Sequence, residues 1–126
     1  MRILIDTHAF LWWVDDDKRL SKRARRVIAG GDCFLSIATA WELAIKVSLG
    51  KLTLSRRVSH FFEEQAVTNR FSILGVQLRH IGELEQLPHH HGDPFDRLLV
   101  AQATAESLTI VSKDGYFDAY DIERVW

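Results

Sequence analysis

The sequence has little of what marks several large classes of protein. Its single cysteine, Cys33, cannot form an internal disulfide, so a reducing intracellular compartment is expected. No apolar run reaches the length of a membrane span. The first apolar run is short and is interrupted by Asp6 and His8, which does not fit a signal peptide. We therefore expect a cytoplasmic protein without a membrane segment.

An excess of charge of one sign is also lacking. The formal net charge is −1, which argues against a broadly basic coat for nucleic acid but allows local basic patches. The chain has 126 residues, 47% hydrophobic and 26% charged, so it can bury a core without disulfides or a structural metal. No internal repeat, low-complexity linker or domain boundary is visible. Residues 1–126 are therefore predicted to form one domain.

Short apolar runs alternate with helical patterns along the chain. Strands are predicted at 3–5, 33–37, 71–76, 108–112 and 122–126. Helices are predicted around 10–14, 22–29, 39–49, 58–67, 78–87 and 94–105. This alternation predicts an α/β fold with a mostly parallel sheet and right-handed crossovers. Trp12, Trp13 and Trp41 are expected mostly in the core, with a share in a protein interface.

Four acidic residues occupy related positions in this pattern. Asp6 directly follows the first strand, and Asp114 lies just past the fourth. Glu42 is near the start of the helix that follows the second strand. Ligands of open parallel sheets bind beyond the carboxyl ends of the strands, so these three acids are expected at one edge. Asp96 begins the helix before the fourth strand and is permitted at that same edge.

Carboxylates gathered in this way repel one another, so they share protons or bind a cation. Oxygen ligands suit Mg²⁺ or Mn²⁺ better than Zn²⁺, and such ions support phosphodiester hydrolysis. Each acid also has a simpler explanation. The aspartates stand where Asp caps a helix, and Glu42 could form a surface pair with Lys46. For Asp93 a helix cap is favoured, and the metal site is predicted from the joint placement of the other four acids.

Four segments carry a resemblance to a known family. They are LIDTH at 4–8, AWELAIK at 40–46 with GKL at 50–52, DPFDRLLVAQA at 93–103, and SKD at 112–114 with Phe117. In this order they resemble the PIN-domain ribonucleases, and more narrowly the VapC toxins of type II toxin–antitoxin systems. The resemblance implies a three-layer α/β/α domain with a mostly parallel, roughly five-stranded sheet.

The resemblance also implies a site, a substrate and partners. It assigns metal binding and catalysis, with Mg²⁺ or Mn²⁺, to Asp6, Glu42, Asp96 and Asp114. Thr7 and Ser112 match small hydroxyl positions beside the site, and Lys46 gains a role there. RNA is the implied substrate, a VapB-type antitoxin the implied partner, and a homodimer the implied assembly. His8 departs from the small polar residue of many members, which changes how substrate or water sits near Asp6.

Two further clusters have open interpretations. The basic run at 18–26 fits either contacts with RNA phosphates or a solvated helix face. A transition-metal site is less favoured than a solvated loop for His89, His90 and His91, because adjacent histidines cannot all face one ion.

Rival functions fit the sequence less well. An aspartate-nucleophile phosphatase needs a second Asp two residues after the first, where His8 stands. A receiver-type phosphoacceptor needs an Asp after the third strand, where the chain reads Gly75, Val76 and Gln77. A catalytically silent PIN-like scaffold that binds RNA or protein is the remaining alternative.

Overall fold

A single sheet of five parallel strands organises the protein. The computed structural model describes residues 1–90 and 92–126. The strands are β1 (Arg2–Ile5), β2 (Asp32–Ser36), β3 (Ser72–Leu74), β4 (Thr109–Val111) and β5 (Arg124–Val125). They lie in the order β3-β2-β1-β4-β5. The predicted parallel, five-stranded sheet is therefore confirmed.

Helices connect the strands. They are α1 (Thr7–Val14), α2 (Lys22–Gly30), α3 (Ile37–Ser48), α4 (Val58–Asn69), α5 (Leu78–Gln86) and α6 (Pro94–Glu106), with a 3-10 helix at Gly115–Ala119. Ile37 was predicted as the end of the second strand, but it begins α3. The reason is that the Ser36 side chain accepts a hydrogen bond from the Ala38 N–H and caps the helix. The third, fourth and fifth strands are shorter than predicted.

The two faces of the sheet bury separate cores. Ile3 and Ile5 belong to the core under α1 to α4, whereas Leu4 belongs to the core under α5 and α6. This division follows from the alternation of side chains along a strand. The predicted three-layer arrangement is thereby confirmed. Burial raises the pKa of the Cys33 thiol to about 11, which makes Cys33 an unreactive core residue.

The prediction that Trp41 lies mostly in the core is wrong, because this residue is 59% exposed. The buried face of α3 carries Thr39 and Leu43, and two positions along a helix correspond to more than half a turn. Trp41 therefore faces outward, where its ring packs edge-on against Phe95 with centroids 4.9 Å apart. Trp12 and Trp13 are partly buried against the core under α1 to α4.

A buried polar network joins α3 to α6. The Ser36 hydroxyl donates a hydrogen bond to Gln102 Oε1, and both residues are fully buried. Gln102 Nε2 donates to the Gly75 carbonyl oxygen at 3.3 Å. These bonds connect the start of α3, the loop after β3 and the middle of α6.

The network continues to His80, which is fully buried on α5. The Gln77 N–H donates to His80 Nδ1 at 3.0 Å, so the ring proton lies on Nε2 and faces Glu106 Oε2 at 3.4 Å. Arg79 also pairs with Glu106, and this pairing lowers the pKa of the Glu106 carboxyl. Throughout residues 1–90 and 92–126, no buried side-chain nitrogen or oxygen lacks a hydrogen-bond partner. Nor does any helix in these ranges have the length and apolar character needed to cross a bilayer.

Candidate active site

A small cleft opens at the carboxyl edge of the sheet, where β1 lies between β2 and β4. This is the point at which the chain's connections diverge to the two halves of the sheet, the usual ligand position in such folds. The cleft encloses about 190 Å³. Its lining comprises Asp6, Thr7, His8, Glu42, Lys46, Asp93, Asp96 and Asp114. The structure thus brings the four predicted acids together, including Asp96, which topology alone only permitted there.

Asp6 lies at the base of the cleft. It caps α1, with Oδ1 accepting a hydrogen bond from the Ala9 N–H at 2.8 Å. Burial raises the pKa of the Asp6 carboxyl, while hydrogen bonds from Ser112 and Ala9 act in the opposite direction. Glu42 raises this pKa further. The carboxylate is therefore costly to ionise in this position and would gain from a nearby cation.

Ser112 connects Asp6 to Asp114. Its hydroxyl is fully buried, hydrogen-bonds to the Asp6 carboxyl, and accepts a hydrogen bond from the Asp114 N–H at 3.0 Å. The Asp114 side chain in turn accepts from the Tyr116 N–H at 2.9 Å and caps the 3-10 helix. A single hydroxyl therefore positions two of the acids relative to each other.

Glu42 forms a second wall of the cleft. The Thr7 hydroxyl donates to Glu42 Oε1 at 2.8 Å, and Lys46 Nζ lies 2.8 Å from Glu42 Oε2. The ion pair between Glu42 and Lys46, which the sequence offered as an alternative to a metal-site role, is thus present. It lies inside the cleft rather than on an open helix face, because Glu42 is only 13% exposed and Lys46 29%.

Asp93 and Asp96 contribute from the start of α6. Asp93 Oδ1 accepts hydrogen bonds from the N–H groups of Phe95 and Asp96, at 2.8 and 3.0 Å. The predicted helix cap is therefore present at Asp93, although this residue also lines the cleft. Asp96 lies in the first helical turn, where the helix dipole favours a negative charge.

The donor atoms of the cleft fit a hard divalent cation. In the described part of the chain, no three acidic, imidazole or thiol groups are close enough to hold an ion as they stand. Mg²⁺ does not need such a cage, because it keeps several waters and takes one or two carboxylates directly. Carboxylate and hydroxyl oxygens around a small cleft match that mode, and no sulfur ligand is present in the lining.

The structure also shows the contacts of His8 and of two arginines in the basic run. His8 is exposed, lines the cleft and stacks on Trp12, so it does not pack under α1. In the basic run, Arg19 pairs with Asp17 and Arg25 pairs with Asp16.

His89 and His90 lie outside the cleft lining. His89 and His90 are exposed, and the His90 ring contacts Tyr120 edge-on. His91 lies outside the described residues.

Sequence reasoning missed the supporting role of Gln102 and Ser36. The available signal was that Gln102 lies on the apolar face of α6, three positions after Leu99 and four after Leu98. A polar side chain at such a position needs a buried partner.

Comparison with known proteins agrees with this geometry. The family model for the PIN domain matches residues 3–123. Ribonuclease VapC22 of Mycobacterium tuberculosis is 30% identical over 114 residues, which cover 89% of this chain and 86% of that protein. VapBC2 from Rickettsia felis, bound to a DNA fragment from their promoter, shares the fold with a TM-score of 0.73 at 14% identity, covering 100% of this chain and 99% of that one. A toxin–antitoxin complex from Klebsiella pneumoniae has a TM-score of 0.66 at 14% identity, covering 98% and 96%. The chain therefore belongs to the PIN-domain family and is a VapC-type member of it.

Proposed function

We propose that this protein is a Mg²⁺- or Mn²⁺-dependent endoribonuclease that acts as the toxin of a type II toxin–antitoxin pair. The observation that carries the proposal is the cleft at the carboxyl edge, lined by Asp6, Glu42, Asp96 and Asp114. The similarity of the chain to a ribonuclease favours RNA as the substrate. With RNA as the substrate, the cytoplasm is the proposed location of the protein.

The side chains divide the work of the cleft. Asp6, Asp96 and Asp114 would hold the divalent ion, with Glu42 joining them when its carboxylate turns from Lys46. When bound, the ion supplies Lewis-acid polarisation and charge neutralisation at the scissile phosphate.

The supporting groups keep this arrangement in place. Ser112 orients Asp6 through the hydrogen bond that it donates, and Thr7 orients Glu42 in the same way. Lys46 is a cation in the lining, and its ammonium lies where it could pair with a substrate phosphate.

The proposed partners follow from the relatives. Since proteins of the same fold occur in toxin–antitoxin complexes, a VapB-type antitoxin is the proposed inhibitor of this cleft. A homodimer is the proposed assembly, testable by sedimentation of the purified chain.

The test is cleavage of a mixed RNA pool by purified protein with Mg²⁺, with Mn²⁺ and with EDTA. Asp6→Asn and Asp96→Asn keep the side-chain shape and remove the charge, so each is expected to reduce cleavage at least ~100-fold. Asp121→Asn is the matched control, because Asp121 is exposed and outside the cleft lining. Folding of each variant is checked by circular dichroism.

Calorimetric titration with Mn²⁺ separates the outcomes. Metal-dependent cleavage lost in both cleft variants, but not in the control, supports the proposal. Absence of cleavage together with metal binding at the acids points to a narrow RNA substrate missing from the pool. Absence of both cleavage and metal binding would overturn the catalytic reading and leave a silent PIN scaffold.

A further inference from the structure

A row of planar side chains extends from the mouth of the acid-lined cleft. The His8 ring stacks on the Trp12 ring, with centroids 5.6 Å apart and planes inclined by 24°. The Arg19 guanidinium lies over the same Trp12, 5.0 Å from its centroid. We call His8, Trp12 and Arg19 the planar row. It runs from the catalytic acids toward the loop between α1 and α2.

Two members of the planar row, Trp12 and Arg19, also contact other parts of the protein. Trp12 is partly buried against the core under α1 to α4 and packs on Trp126, with ring centroids 5.8 Å apart. Asp17 Oδ2 lies 2.7 Å from Arg19 Nη2, and Arg19 Nε also donates to the Asp17 carboxylate. Trp12 is therefore held in position before any ligand arrives, which lowers the entropy lost on binding.

His8 is the member that can meet a ligand. It lines the cleft and is exposed, whereas Trp12 covers one side of its ring. Because His8 is exposed and lies in the lining, part of its imidazole is accessible to a ligand in the cleft. An exposed aromatic surface beside a catalytic cleft is a binding surface for a flat group.

The charge of the cleft explains why such a surface is useful. Among the described residues, acidic side chains outnumber basic ones in the lining, a balance that does not favour a phosphate backbone. Stacking of a nucleobase on an aromatic ring does not depend on that balance. A stacked base typically strengthens binding by roughly 5- to 100-fold and tolerates any base identity.

We infer that His8 is a base-stacking subsite for single-stranded RNA, holding the nucleobase next to the scissile phosphate, with Trp12 and Arg19 as its support. This inference rests on the proposed function and deepens it. The substrate must be single-stranded there, because a paired base keeps its faces inside the duplex. A purely structural role, in which His8 and Trp12 stabilise α1 as an i,i+4 pair, predicts effects on stability alone.

The test uses a short single-stranded RNA of mixed sequence with one central 2-aminopurine, whose fluorescence falls on stacking. Binding is measured in EDTA, so that cleavage does not interfere. His8→Ser is expected to weaken binding about tenfold and to abolish the quenching. His8→Phe retains a ring and is expected to keep both. His60→Ser, an exposed histidine on α4, is the matched control and should behave as wild type.

Each outcome decides the inference. Equal affinity and quenching for wild type and His8→Ser would overturn it, whether or not the melting temperature changes. So would equal quenching by a duplex of the same sequence, or no quenching with wild type. Cleavage with Mg²⁺ is measured separately. A rise in KM with little change in kcat for His8→Ser supports the subsite. Stacking with neither cleavage nor metal binding at the acids would keep the subsite and overturn the proposed nuclease.

Discussion

The acid-lined cleft and the buried network of Ser36, Gln102 and His80 are both polar, yet they are arranged in opposite ways. In the network, every buried donor and acceptor has a partner. In the cleft, acidic side chains from four parts of the chain lie close together, and burial holds the pKa of Asp6 above its usual range. Paired polar groups stabilise the fold, whereas like charges gathered in one cleft mark a place where a cation can bind.

The two regions are mechanically connected. Ser36 caps α3, the helix that carries Glu42, and Gln102 lies on α6, the helix that begins near Asp96. The bond between Ser36 and Gln102 therefore sets how the two acid-bearing helices meet. The buried network holds the acid-lined cleft in shape, and separate changes to each should separate stability from function.

The largest effect is expected from breaking the network. Gln102→Ala should lower the free energy of unfolding by about 2–4 kcal/mol, because it removes the acceptor of the buried Ser36 hydroxyl and the donor to the Gly75 carbonyl, and opens a cavity. Urea denaturation measures this change. A double-mutant cycle with Ser36→Ala should show a coupling above about 0.5 kcal/mol. Additive effects would contradict the role given to this bond.

A gain in stability is expected from removing the buried charge in the cleft. Asp6→Asn should raise the free energy of unfolding at neutral pH by about 1–2 kcal/mol, while cleavage is lost. Burial raises the pKa of the Asp6 carboxyl, so folding favours its protonated form. The cost of ionisation is absent below the unfolded pKa and grows as pH rises toward the folded value.

The advantage of Asp6→Asn should therefore appear as pH rises above about 4 and be absent at about pH 3. Unfolding curves of both proteins across that range test the prediction. Asp121→Asn, which changes an exposed acid, should follow wild type at every pH. An advantage that is the same at every pH would show that the buried charge is not its cause.

A smaller gain is expected from adding a divalent cation. Mg²⁺ at about ten times its Kd should stabilise wild type by roughly 1.4 kcal/mol, through binding to the folded state alone. The same addition should leave Asp6→Asn nearly unchanged. Thermal melts with Mg²⁺, and with NaCl matched for ionic strength, measure the difference. Equal stabilisation of both proteins would place the ion elsewhere.

The smallest effect is expected at an ion pair outside both regions. Arg124 pairs with Asp118 at 2.8 Å on the exposed edge of the sheet, and this pairing lowers the pKa of the Asp118 carboxyl. Solvent and salt screen such a pair, so Asp118→Asn should leave the melting temperature and cleavage close to wild type. A clear loss of either would show that the edge at β5 supports the cleft.

Much of the fold could be read from local patterns. Asp93 caps its helix as predicted, since a cap needs only a short side chain beside free N–H groups. The alternation of strand and helix determined the parallel sheet. Strand limits and the outward turn of Trp41 were misjudged, because pairing length and the buried face of a helix depend on the neighbours it meets.

The sequence by itself determined the α/β order, the parallel sheet and the edge at which Asp6, Glu42 and Asp114 stand. These follow from periodicity and from the direction of parallel strands, which need no knowledge of packing. Only the tertiary structure decided that Asp96 joins them and that Gln102 braces α6 against α3. Those contacts join residues far apart in the chain, and the angle at which one helix packs on another is set by the whole core rather than by any local pattern.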